Sequence, residues 1–147
     1  MSEKIEIVHV DKVELMEIAW DIRHSVFTKE QGIPAELDKD GEDKHALNIL
    51  LYVDGRVAGT GRMVIENKKG VLARIAVLRE FRGRGYASEI VRALERYGVE
   101  QGVTKFELYP HRYLESFYNR LGYISDPDYS SNVAGHALIR MSKEVTQ

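Results

Sequence analysis

The chain has no cysteine. Disulfides, thiolate metal sites and thiol nucleophiles are therefore excluded. It has no apolar stretch long enough for a secretory leader or a membrane span, so the expectation is a cytoplasmic protein with no membrane partner. It has no excess of positive charge: 21 Lys and Arg stand against 23 Asp and Glu, a net charge of −2, which argues against a nucleic-acid partner. Internal repeats, low-complexity tracts and linkers are also missing.

What is present is ordinary for a globular protein. The 147 residues are 44% hydrophobic and 30% charged, enough for a single domain over residues 1–147 with its own core. The charge is uneven. Residues 1–54 hold 6 Lys or Arg against 13 Asp or Glu, so the remainder is net positive. A basic C-terminal part suits an anionic cofactor, and an acidic N-terminal part suits a cationic acceptor. Most of these charges read as solvated faces.

Ile5 to Val10 alternates as a strand. Asp11 and Glu14 have capping-box spacing before a helix in which Val13, Met16, Ala19, Trp20, Arg23 and Phe27 recur at helical spacing. A polar run from Ala35 to Lys44 follows, with Asp38, Asp40 and Asp43 ahead of His45. It lacks calcium-loop spacing and a second nearby histidine, so no metal is expected. A mobile acidic loop is the favoured reading, and a lid over an acceptor site the other. Ala46 to Val53 and Arg56 to Glu66 are strands joined by the hairpin signal Asp54-Gly55. Asn67 to Gly70 turns the chain into a third strand, Val71 to Leu78. After a helix, Lys105 to Tyr109 is a strand. Leu114, Phe117, Tyr118 and Leu121 form a helical stripe stopped by Gly122. Asp126 to Asn132 is loop, and Ala137 to Met141 a last strand. This order predicts an α/β (α+β) fold with a mixed, largely antiparallel sheet flanked by helices.

The chemistry gathers at Arg79-Glu80-Phe81-Arg82-Gly83-Arg84-Gly85-Tyr86-Ala87-Ser88, a glycine-bearing turn between a strand and a helix. A helix N-terminus, close backbone approach at glycine and two arginines make a seat for phosphate. No Walker ending and no dinucleotide fingerprint is present. The pattern Arg82-x-x-Gly85-x-Ala87 resembles the pyrophosphate loop of the GCN5-related N-acetyltransferase (GNAT) superfamily. A second stretch, Phe117-Tyr118-Asn119-Arg120-Leu121-Gly122-Tyr123, resembles that superfamily's closing motif. A third, Arg23-x-x-Val26-Phe27-x-x-Glu30-Gln31 followed by Asp38-x-Asp40-x-x-Asp43-x-His45, resembles its ElaA/YjcF-like branch, a signature shared in part by acyl-homoserine-lactone synthases.

The resemblance covers roughly residues 5 to 142. It implies transfer of an acetyl group from acetyl-CoA to a primary amine, and a fold splayed into a V between the strands near 71–78 and 104–109. Without a cysteine, direct attack is the simplest route. It implies cofactor contacts from Ile75, Ala76 and Val77 along a strand edge, and from Arg82, Gly83, Arg84, Gly85, Tyr86, Ala87 and Ser88 around the pyrophosphate. A backbone N–H near Val77 would polarise the thioester carbonyl. His111, Phe117 and Tyr118 would lie along the pantetheine arm, with Tyr118 protonating the departing thiolate. His111 stands where the family has Asn or Gln, and Leu114 where it has a small residue. The candidates for taking the amine's proton are Glu30, His111, His45 and Glu107. A homodimer is common for the fold. Two other functions remain: an acyl-CoA-sensing module without turnover, and an acyl-homoserine-lactone synthase, for which the chain is short.

Overall fold

The computed structural model describes residues 3–145. Its main sheet has seven strands: β1 (Ile5–His9), β2 (Leu47–Val53), β3 (Arg56–Glu66), β4 (Lys69–Val77), β5 (Lys105–Leu108), β6 (Ile124–Ser125) and β9 (Met141–Glu144). Their order is β1-β2-β3-β4-β5-β9-β6. Every neighbouring pair is antiparallel except β4 and β5. A separate hairpin pairs β7 (Ser131–Val133) with β8 (His136–Leu138).

Strand β2 explains how the layers form. Its run Ile49-Leu50-Leu51 is apolar on both faces because both are covered. Ile49, Leu51 and Val53 pack with Ile90, Val91 and Leu94 of α3 (Tyr86–Glu100). Leu50 turns the other way, toward Ala19 and Ile22 of α1 (Val13–Arg23). Helix α3 sits unusually close to β3: a Cβ on Gly61 would lie 2.5 Å from Cγ2 of Ile90, closer than side chains tolerate. The Gly59-Thr60-Gly61 stretch is thus a contact requirement of the helix above it.

The sheet splits between β4 and β5. They pair only from Lys69 with Lys105 to Leu72 with Leu108. Beyond Leu72, β4 continues to Val77 without β5 beside it, so the expected V is present. At the same place β4 bulges. Thr60 opposes Ala76 and Arg62 opposes Ala73, so Arg74 and Ile75 together face Gly61. Arg74 takes up the extra length with a left-handed φ of 57°, which is costly for a side chain.

Three local expectations are corrected. Helix α1 starts from Lys12 with no side-chain cap, so Asp11 and Glu14 form no capping box. The run 137–141 is not one strand. Residues to Leu138 pair within the hairpin, whereas Met141 onward pairs with β5 and β6. Ile139 lies between them and its N–H binds the Pro110 carbonyl, so the chain changes partner there. The acidic stretch, expected as loop, forms α2 (Ala35–Asp38) and a short turn at Asp43–His45, with its acids paired to arginines.

Candidate active site

At the end of β4, Val77 leads through a turn at Arg79–Phe81 to α3. Gly83 and Gly85 both have left-handed φ, 79° and 83°, and open space where a side chain would stand. Gly85 occupies the N-cap position of α3 without a side-chain cap, leaving first-turn N–H groups for a ligand. The turn's arginines are tethered. Arg82 donates from Nε to the Val77 carbonyl at 2.9 Å and pairs with Glu30 at 2.8 Å. Arg84 lies 3.4 Å from Glu3, which also accepts a hydrogen bond from the Tyr86 hydroxyl. Ala87 and Ser88 are half-buried in the first turn of α3, and Ala87 packs against the core. Open glycines, an uncapped helix start and fixed positive charge fit a pyrophosphate.

The split between β4 and β5 opens into a cavity of about 530 Å³. Ile75 lines it from the unpaired part of β4. Tyr118 and Leu114 line it from the region of α4 (Glu115–Arg120), and Val133, His136 and Leu138 from the β7–β8 hairpin. Phe27 enters from a π-helical segment, His24–Glu30, that continues α1. Ala76 and Val77 are buried and lie further along the open edge of β4. Phe117 is set edge-on to Tyr118 at 4.9 Å.

Tyr118 is 5% exposed, and burial pushes its hydroxyl well above the ordinary phenol value. It stays protonated and can give a proton to an anion. His111, also on the cavity wall, has its Nε2 2.9 Å from Oε1 of Gln31. The amide oxygen accepts, so Nε2 carries the proton and Nδ1 the lone pair; Nδ1 is enclosed with no hydrogen-bond partner among the described residues. Burial, and then neighbouring His136, hold this imidazole below its usual pKa. His136 donates from Nε2 to the Gln31 carbonyl at 2.7 Å, so Gln31 ties both histidines together.

The other candidate bases lie elsewhere. Glu30 is not on the cavity wall, and its bond from Arg82 draws its carboxyl below the usual range. His45 is exposed on its own turn. Glu107 is buried, accepts from the Tyr109 hydroxyl at 2.6 Å and pairs with Lys69 at 3.6 Å.

The acidic signature builds a cluster against the cavity floor. Arg23, 1% exposed, donates from Nε to Asp38 at 2.9 Å and from Nη1 to Asp43 at 2.8 Å. Arg62 donates from Nη2 to Asp40 at 2.7 Å and from Nη1 to Asp43 at 3.2 Å. Arg74 bonds to Asp38 and Asp40 at 3.0 and 3.3 Å. Three carboxylates are thus matched by three guanidinium groups. Among the described residues, no group of three or more His, Cys, Asp or Glu side chains is placed to hold a metal ion. No helix among them is long and apolar enough to cross a membrane.

Sequence reasoning missed Arg62, Arg74 and His136 and gave Gln31 no role. Arg74 left one trace, as a lone charge inside the apolar run Val71 to Leu78. His136 left none.

Comparison with known proteins agrees with this geometry. Residues 12–123 match the profile of the Acetyltransferase (GNAT) family. The uncharacterized N-acetyltransferase YjcF of Bacillus subtilis is 33% identical over 110 residues, 75% of this chain and 79% of that protein. The crystal structure of Escherichia coli ElaA superposes with a TM-score of 0.82 at 20% identity, over 97% of this chain and all (100%) of that one. The PaiA N-acetyltransferase of Thermoplasma acidophilum, solved in complex with coenzyme A, gives 0.72 at 18% identity over 97% and 99%.

Proposed function

Because the chain belongs to the GNAT acetyltransferase family and is an acyl-CoA-dependent acyltransferase, we propose that it moves an acetyl group from acetyl-CoA to a primary amine in the cavity between β4 and β5. The observation that carries this reading is the convergence of three features on that space: the open edge of β4, the protonated Tyr118 and the neutral His111.

In this reading the first-turn N–H groups of α3 and the backbone of Arg82 to Ala87 hold the pyrophosphate. Arg82 and Arg84 add charge. Ile75, Ala76 and Val77 offer backbone groups to the amides of the pantetheine arm, and a backbone N–H near Val77 steadies the developing oxyanion. His111, on the cavity wall, takes the proton of the ammonium group, and Gln31 holds its ring in place. The amine nitrogen then bonds to the thioester carbon as the carbon–sulfur bond breaks. Tyr118 protonates the thiolate that leaves. Glu30 serves the loop instead, holding Arg82 in place.

The test is calorimetric titration of acetyl-CoA into the protein, with Gly85→Asp as control, followed by thiol release with a panel of amines. Binding by the wild type, loss in the control and thiol release with an amine are the expected results. No binding by the wild type would end the enzyme reading.

A further inference from the structure

We infer that the amine acceptor carries a carboxylate beside an apolar body, as an α-amino acid with an apolar side chain does, and that Arg74 receives this carboxylate. The inference rests on the cavity being the transfer site.

The charges on the cavity wall are Asp38, Arg62 and Arg74. Asp38 has nothing left for a cation. Its Oδ1 accepts from Nε of Arg23 at 3.1 Å and lies 3.0 Å from Nε of Arg74, and its Oδ2 accepts from Arg23 at 2.9 Å. Asp40 and Asp43, behind it, are engaged by Arg62. Asp38, Asp40 and Asp43 are therefore neutralised inside the protein, and a polyamine meets no unpaired carboxylate among the described residues of this wall.

Arg74 is different. Its Nε and Nη2 go to Asp38, Asp40 and nearby carbonyls. Nη1 has no hydrogen-bond partner among the described residues, and the side chain is 24% exposed. Burial, and then the like charge of Arg62, weigh against its cationic form, so an added anion would relieve both. Its place also fits. The β4 bulge puts Arg74 immediately before Ile75, where the open strand edge meets the cavity. The rest of the wall offers Phe27, Ile33, Leu37 and Leu138 to an apolar group. An acceptor with amine, carboxylate and hydrocarbon on one carbon would use all three surfaces.

The experiment first verifies acetyl-CoA binding by calorimetry, so that failure there counts against the proposed function and not against this inference. At saturating acetyl-CoA, thiol release is then compared for leucine, 3-methylbutylamine (leucine without its carboxylate) and spermidine. Leucine should exceed both amines by about 10-fold or more in kcat/KM, the scale of one charge-assisted hydrogen bond. Arg74→Gln should bring the leucine-to-amine ratio close to one. Should that variant not fold, Arg74→Lys, which keeps charge but loses the fork, should lower the ratio several-fold. Preference for either amine by the wild type would overturn the inference, as would a ratio unchanged in both folded variants. So would acetyl-CoA binding without transfer to leucine, or a gain with succinyl-CoA and 3-methylbutylamine over acetyl-CoA and leucine, which would put the carboxylate on the acyl group.

Discussion

Two regions of this protein are rich in arginine, and they use it in opposite ways. In the cluster below the cavity, Arg23 and Arg62 are almost fully buried and their donors are largely spent on Asp38, Asp40 and Asp43. In the turn before α3, Arg82 and Arg84 are exposed, tethered by one acid each, and flanked by glycines that keep the backbone open. The first arrangement makes shape and the second leaves charge and backbone open to a ligand. The difference lies in partners: a charge acts on a ligand only where the fold has not already neutralised it.

That contrast can be broken at its strongest point first. Arg23→Ala leaves Asp38 and Asp43 short of a buried cation, and should cost about 3–5 kcal/mol in urea unfolding, the usual cost of breaking a buried pair. A loss below about 1 kcal/mol would place the cluster with ordinary surface pairs. Gly85→Asp should do the reverse, weakening acetyl-CoA binding roughly 100-fold by calorimetry while its left-handed φ costs only about 1–2 kcal/mol in urea unfolding. Between the two regions, Tyr118→Phe should lower kcat about 10-fold with little change in KM for acetyl-CoA. The effect is smaller than the roughly 100-fold or more usual for a general acid because a thiolate leaves readily. Equal turnover would remove the acid role. Glu30→Gln should change kcat/KM by only about 2-fold and leave the pH–rate profile in place, since in the proposed mechanism the acid limb belongs to the His111 imidazole, held below its usual pKa by burial. Loss of that limb in the variant would make Glu30 the base.

The smallest effect is on acid stability. Burial opposes ionisation of Asp40, but bonds from Arg62 and from the Glu42 N–H outweigh it and pull the carboxyl to about 2, against 3.8 unfolded. A depressed folded pKa contributes stability above the unfolded value and loses it as the pH falls toward the folded one. Stability should therefore drop between about pH 4 and pH 2, and Asp40→Asn should flatten that part of the curve. A curve with the same slope in the variant would show that Asp40 is not the group responsible.

The fold was legible where signals are local. Asp54-Gly55 and the turn at Asn67 to Gly70 place three antiparallel strands, and the glycine turn with the α3 pattern places the helix. The cluster was not legible, because Asp40 finds Arg62 and Arg74 at separations of 22 and 34 residues, across two turns of sheet. No periodicity connects such positions, so spaced acids read as a solvated loop. The final strands failed for a related reason: Ile139 and Arg140 look continuous with their neighbours, while the partner changes between them. The candidate site divides along the same line. Tyr118 and His111 stand out through their motif, but the use of His111 depends on Gln31, which reaches it across 80 residues.

One consequence of the split sheet concerns how this protein avoids itself. An unpaired strand edge is a template for adding another chain, and exposed edges are a common start of aggregation. Here the unpaired length of β4 is recessed behind the hairpin and the α4 region rather than laid along the outer rim. The walls that would flank a pantetheine arm in the proposed mode of binding also stand between this edge and another protein's strand.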